Sequence, residues 1–256
     1  MTTAAGLSRG RFAPAYLPTG CEGLDRLLGG GLPRGALVEM SGHASSGRFS
    51  VALSALAAVT ETGEAAALVD PGDHFDPQGA AAAGADLSRV LWLRPRGLKM
   101  AFAAAETVLA TGFALVILDL GLAHVSRRRF DDAVWLRLAR RARFHDAALF
   151  VLAPYRVTGV AARIVLAADA ARAGWNRACL DHWPQSLSLL DGLSARLVVE
   201  KNLEKTRDMH MKEKTSLLNL SLLEALQAGK EERKICLEKE EKEREGAGSA
   251  LSAFGR

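Results

Sequence analysis

The stretch LVEMSGHASSGRFS, Leu37 to Ser50, constrains this chain more than any other. A short apolar run (Leu37, Val38, Met40) leads into Gly42. Four small or polar residues follow, His43, Ala44, Ser45 and Ser46, and then Gly47 and a helix-compatible segment, Val51 to Val59. Strand, glycine-bracketed loop and helix N-terminus make the layout of a phosphate-binding loop, where backbone N–H groups receive an anion. The pattern G-x-x-x-x-G-K-[ST] also asks for a Lys on the terminal phosphates and a hydroxyl on Mg²⁺. The glycine spacing is intact, but Arg48 stands at the Lys position and Phe49 at the hydroxyl position. The frame of a nucleotide site is kept and its chemical centre is replaced.

With 256 residues and 49% hydrophobic content, the chain can bury the core of one domain plus an appendage. A net charge of +4 permits a nucleic-acid partner without demanding one. Cys21, Cys179 and Cys236 are scattered and form no C-x-x-C pair, which fits a reducing cytoplasm with no disulfide framework and no zinc knuckle. The histidines form no H-E-x-x-H, and Cys179 with His182 is no more than half a metal site, so no metal is expected. Apolar runs are strand-sized, too short to cross a bilayer. Met1 to Ala15 carries two arginines and no apolar core, so it does not read as a secretory signal. The expectation is a soluble cytoplasmic protein with no membrane partner.

Periodicity and breakers divide the rest. Residues 1–16 read as a flexible leader. A short helix is expected over Glu22 to Leu28, a strand over Ala36 to Ser41, a helix over Arg48 to Glu61 and a strand over Ala65 to Asp70. Asp76 to Ala83 is a short helix stopped at Gly84, Arg89 to Leu93 a strand, and Lys99 to Ala110 an amphipathic helix. Ala114 to Leu120 and Ala147 to Ala153 are apolar strands on either side of a helix from Arg129 to Phe144. In that helix Phe130, Val134, Leu138 and Ala142 share a face. Strands that are continuously apolar and alternate with helices imply a mostly parallel sheet covered on both faces. Arg163 to Ala170 and Ser194 to Lys201 read as late antiparallel strands.

Composition then shifts. Residues 1–200 hold one lysine against 20 arginines, and residues 201–256 hold eight lysines and four arginines. The change places a domain boundary near Asn202: a main domain over 17–202 and a charged tail, helical or disordered, over 203–256. Leucines between Leu217 and Leu226 give that tail an amphipathic turn or two.

LPTGCEGLDRLLGGGLPRGALVEMSGHASSGR, which leads into and includes the loop, resembles the RecA/RadA/KaiC superfamily of recombinase-type ATPases. VDPGDHFDP is similar to the stretch after their second strand, VILDLG to their Walker B strand, and LSARLVVEKN to a late strand ending in Lys–Asn. AAGADLSRVLWLRPR resembles the ImuA-type, or SulA-like, members, which accompany an error-prone polymerase in DNA-damage-induced mutagenesis. The resemblance covers about Leu17 to Asn202 and implies an α/β RecA-like sandwich around a phosphate-binding loop.

Carried over residue by residue, the resemblance leaves a degenerate nucleotide site, Gly42 to Phe49, and Asp119 in the Walker B place. The Glu that orients the attacking water falls at Gly72, with Asp73 beside it. Asp119 to Arg129 and Pro154 to Arg163 are short for the family's DNA-binding loops. Asp119, at a buried strand end, has a metal-ligand reading, but without the hydroxyl partner the structural one is preferred: accepting hydrogen bonds from the loop or pairing with Arg48. Asp70, Asp73, Asp76 and His74 form an acidic loop that is open to a metal-attracting reading, but charged loops at strand ends are common and the ordinary reading is preferred.

The densest positive patch is Arg127, Arg128 and Arg129, followed by Arg137, Arg140, Arg141 and Arg143. It reads equally as a solvated helix face that Asp131 and Asp132 partly compensate, or as a contact for nucleic-acid phosphates or an acidic protein, with few aromatics between the charges for base stacking. The resulting expectation is a non-catalytic adaptor in DNA repair, the SOS response or translesion synthesis. Its partners would be a polymerase-like protein and RecA, with weak DNA binding, no catalytic residue and no required cofactor. The alternatives are a DNA-dependent recombinase-type ATPase using weakly held ATP and Mg²⁺, and a regulator that uses the fold only as an interaction surface.

Overall fold

The computed structural model describes residues 15–121, 131–178, 187–203 and 215–221. Tyr16–Leu17 (β1) pairs antiparallel with Leu32–Pro33 (β2), with the helix Glu22–Leu28 (α1) between them. Tyr16 therefore belongs to a strand and not to the leader. The alternation then runs Leu37–Gly42 (β3), Arg48–Glu61 (α2), Ala66–Val69 (β4), Pro77–Ala82 (α3), Val90–Leu93 (β5) and Leu98–Leu109 (α4). Leu115–Asp119 (β6), Asp132–Phe144 (α5) and Ala148–Ala153 (β7) complete the α/β part. Ile164–Ala178 (β8), Leu187–Asn202 (β9) and Thr215–Ser221 (β10) follow.

The main sheet has the order β10-β9-β8-β3-β7-β6-β4-β5. From β8 to β5 every pairing is parallel; β9 and β10 add antiparallel ladders at one edge. The fold is thus α/β with a mostly parallel central sheet. β8 departs from the expected antiparallel pairing on one side, since it lies parallel to β3 and antiparallel only to β9.

Parallel strands buried on both faces need apolar side chains at every position, which explains the unbroken runs. In β6, Leu115 and Ile117 join the core shared with α1 and α2, while Val116 and Leu118 join the core under α4 and α5. α5 buries Trp135, Leu138 and Ala142. Val134 is only partly buried, and Phe130 lies outside the described residues. The i+4 series therefore missed Trp135, which meets Phe102 of α4 edge to face at 5.1 Å.

Thr215–Ser221 falls where the leucine spacing assigns a helical turn within the tail, but it is a strand paired with Gly192 to Val198 of β9. The remaining tail and the leader up to residue 14 lie outside the described residues.

Candidate functional site

The carboxyl ends of β3, β4 and β6 come together at one edge of the parallel sheet, the place where α/β sheets hold ligands. From β3 the chain enters the loop Gly42 to Gly47. Gly42 admits no side chain: a Cβ there would lie 2.5 Å from Ser46 Oγ and 2.8 Å from the Ala168 carbonyl. Gly47 takes a left-handed conformation, φ 84°, and starts α2 without a side-chain cap. His43, Ala44 and Ser45 are exposed, whereas Ser46 is buried. Ser46 Oγ has no hydrogen-bond partner among the described residues.

Arg48 is buried at 7% exposure and turns back onto the loop. Its Nη1 donates to the carbonyls of Gly42 and of His43, the latter at 2.9 Å, and its Nη2 donates to Gly121 at 2.9 Å. Three of the five guanidinium donors are thereby spent on protein carbonyls. Burial pulls the Arg48 pKa down and Asp119 pulls it up, the burial effect being larger. Phe49, at the hydroxyl position, packs against the α2 side of the core.

Asp119 ends β6 at 4% exposure, and its Oδ1 accepts from Gly121 N–H at 2.8 Å. Neither expected partner is hydrogen-bonded to Asp119: its donor is the turn that follows its own strand and not the Gly42–Gly47 loop, and the Arg48 guanidinium goes to carbonyls. Burial raises the Asp119 pKa and nearby Asp70 raises it further, against the Gly121 hydrogen bond, Arg48 and His74.

Asp70, just beyond β4, is fully buried and organises the following turn. Its Oδ2 accepts from His74 N–H (2.7 Å) and Phe75 N–H (2.9 Å), and its Oδ1 from Gly72 N–H (3.2 Å). This folding puts the His74 ring into the space a side chain at 72 would need, since a Cβ on Gly72 would lie 2.0 Å from its Cε1. The position that the resemblance gives to the catalytic Glu is therefore taken up by an imidazole. His74 Nδ1 lies 3.7 Å from Asp70 Oδ1 and 3.5 Å from Asp119 Oδ2. Sequence reasoning had Asp70 and His74 in one acidic loop but missed Asp119, which joins them only through the β4–β6 pairing. Asp73 stays outside it, exposed and facing Arg94 at 3.5 Å, and Asp76 caps α3 by accepting from Gln78 N–H.

The connection between β7 and β8 is tied down from two sides. Buried Glu39 of β3 accepts from Val157 N–H (2.5 Å), Thr158 N–H (3.2 Å) and the Thr158 hydroxyl. Lys201 donates to the carbonyls of Val160 (3.1 Å) and Ala162 (2.5 Å).

The arginine patch is only partly described, since Arg127, Arg128 and Arg129 lie outside the described residues. Arg137, Arg140, Arg141 and Phe144 line a shallow cavity of about 370 Å³ on α5. Glu106 of α4 partly neutralises it, 2.9 Å from Arg137 Nε and 3.6 Å from Arg141 Nε. Asp131 caps α5 by accepting from Ala133 N–H. Phe144, 83% exposed, gives the patch an aromatic that the sequence reading had not placed there.

Among the described residues, no helix is long and apolar enough to cross a membrane. The family model for the RecA N-terminal domain matches residues 10–156. Over 137 residues the chain is 34% identical to protein RecA of Picosynechococcus sp., covering 53% of this chain and 39% of that protein. Over 102 residues it is 41% identical to protein RecA of Clostridium acetobutylicum, covering 40% of this chain and 29% of that protein. The chain thus spans less than two fifths of the length of these curated relatives. The crystal structure of the RadB recombinase is similar with a TM-score of 0.57 and 20% identity, covering 80% of this chain and 96% of that one. At that identity the likeness concerns the fold alone.

Proposed function

The chain belongs to the RecA N-terminal domain family, and from that membership we propose that it serves DNA recombination or repair as a non-catalytic adaptor. The observation that carries the proposal is the state of Arg48. Phosphoryl transfer in the family's P-loop relatives needs a cation on the terminal phosphates and a hydroxyl on Mg²⁺. Here the cation is committed to three carbonyls of its own chain, and the hydroxyl is replaced by a core-packed phenyl ring. The tethered connection between β7 and β8 supports the same reading, because it leaves little free chain there to engage a DNA strand.

Within that role, the ImuA-type resemblance of Ala82 to Arg96 favours DNA-damage-induced translesion synthesis, with a polymerase-like protein and RecA as cytoplasmic partners. The outward face of α5 offers a surface for such a partner and for weak, sequence-independent DNA contact. No nucleotide or metal cofactor is required for adaptor work. The second reading, a DNA-dependent ATPase, is favoured by the intact glycine spacing and by Asp119 at the β6 end. Phosphate release separates the two. With ATP, Mg²⁺ and single-stranded DNA, the full chain should release phosphate no faster than buffer. DNA-stimulated turnover that Asp119→Asn abolishes would establish the ATPase instead.

A further inference from the structure

We propose that Asp70 Oδ1, His74 Nδ1 and Asp119 Oδ2 form a binding site for one divalent transition-metal ion of the Zn²⁺ type, independent of any nucleotide. Each of the three residues offers one ligand atom, and those atoms all lie within 4.8 Å of one another. His74 Nδ1 stands 3.5 and 3.7 Å from the two carboxylate oxygens. Those spacings are too long for charge-assisted hydrogen bonds, which run at about 2.7–2.9 Å. The two spacings from the imidazole are close to those of ligands around one ion: donors about 2.0–2.1 Å from a tetrahedral centre stand about 3.4 Å apart.

The second observation concerns Asp119. It is 96% buried by side chain and commits Oδ1 to Gly121 N–H. Its Oδ2 points at the imidazole and accepts no hydrogen bond among the described residues. Asp70 is fully buried as well, and its Oδ1 holds one hydrogen bond, so a lone pair remains for a metal. Two buried carboxylates this close repel each other, and a cation between them removes the conflict. The Arg48 guanidinium is hydrogen-bonded to the Gly121 carbonyl and not to the Asp119 carboxylate.

Gly72 is what makes room, since any side chain there would displace the His74 ring. One imidazole with two carboxylates suits Zn²⁺ or Mn²⁺ better than Mg²⁺, which prefers oxygen donors and water. Three protein ligands leave a fourth position for water, reached from the partly exposed side of His74. The bound ion would join the turn after β4 to the end of β6. The Mg²⁺ pattern of phosphate-binding loops uses the hydroxyl that Phe49 replaces, so this site shares only Asp119 with it.

The test uses the full chain, stripped with chelator and titrated with Zn²⁺ in the absence of nucleotide. One equivalent should remain bound after gel filtration, and Co²⁺ in its place should give the intense visible bands of a four-coordinate ion. His74→Gln and Asp119→Asn should each weaken binding at least tenfold, while their unfolding midpoints in chelator stay near that of wild type. Should either variant fold poorly, the Co²⁺ spectrum of the wild type decides, since the intensity of its visible bands separates a four-coordinate site from a six-coordinate one. Substoichiometric Zn²⁺ on the wild type, six-coordinate Co²⁺ without imidazole, or equal binding by His74→Gln would overturn the proposal. Because no nucleotide is present, none of these outcomes bears on the adaptor reading.

Discussion

Arg48 donates from Nη2 to the carbonyl of Gly121 at 2.9 Å, joining the start of α2 to the residue beyond β6 across 73 positions of sequence. The same guanidinium holds Gly42 and His43. A loop that in a nucleotide site would await phosphate is here fastened to the chain just past β6, two strands across the sheet from β3.

That fastening has a measurable worth. Hydrogen bonds to a charged group contribute about 1.5–3 kcal/mol each, with losses that do not add fully. Arg48→Ala should lower stability by roughly 2–4 kcal/mol in urea denaturation. A Cβ on Gly121 would lie 2.5 Å from Arg48 Nη2 and 2.7 Å from Asp119 Oδ1. Gly121→Ala should therefore cost about 1–3 kcal/mol alone and clearly less in the Arg48→Ala background. Strict additivity of the two would show that they do not share a contact.

Asp119 should show its burial in the pH dependence of stability. Its pKa is raised in the folded state, so ionised Asp119 opposes folding above that pKa and the cost is relieved as pH falls through it. In chelator at neutral pH, Asp119→Asn, which can still accept from Gly121 N–H, should be as stable as wild type or more so. The advantage should shrink on acidification, where both side chains are neutral. An Asn variant that loses stability at pH 7 and regains it in acid has the opposite sign.

Much of this arrangement is legible in the residues. Unbroken apolar runs such as Leu115 to Leu118 announce parallel strands covered on both sides, and the paired glycines announce the loop. What stays hidden depends on contacts distant in sequence. Nothing in ASSGRFS says that Arg48 turns inward, since its acceptor at Gly121 is placed by β6. His74 looks like one more polar loop residue until Asp70 gathers the backbone of residues 72–75 and β6 delivers Asp119. Leu217, Leu218 and Leu220 fit a helix as well as a strand, and only the exposed edge of β9 decides for the strand. Trp135 went unassigned because a strict i+4 count passes it by, whereas i, i+3 and i+7 collect Trp135, Leu138 and Ala142.

β10 makes a further prediction. It pairs with β9 from Thr215↔Val198 to Ser221↔Gly192. Truncation after Leu203 strips that ladder and leaves a long open strand edge, a template for pairing with another copy. The shortened chain should be less stable and should self-associate in light scattering at concentrations where the full chain does not. An unchanged midpoint with no added association would show that β10 contributes nothing to the sheet.

The α5 patch can be tested by salt. If Arg137, Arg140 and Arg141 meet phosphates, log K for single-stranded DNA should fall by about 0.7 per contact for each log unit of salt. Arg140→Ala should flatten the slope most clearly, because Arg137 and Arg141 already share Glu106. Phe144→Ala should weaken binding with little change in slope, as expected for lost stacking. Wild-type slopes retained by all variants would remove α5 from DNA contact and leave it to protein partners.

The most direct measurement is nucleotide binding by the full chain, followed as a thermal shift with ATP, with Mg²⁺ alone, and with both. A ligand at 100 times its Kd stabilises the native state by about 2.7 kcal/mol, which a melting curve resolves easily. With Arg48 held by Gly42, His43 and Gly121, and Phe49 in place of the metal-binding hydroxyl, millimolar ATP should produce no Mg²⁺-dependent shift. A saturable rise in midpoint that needs ATP and Mg²⁺ together would show that the loop opens to phosphate, and would contradict the account.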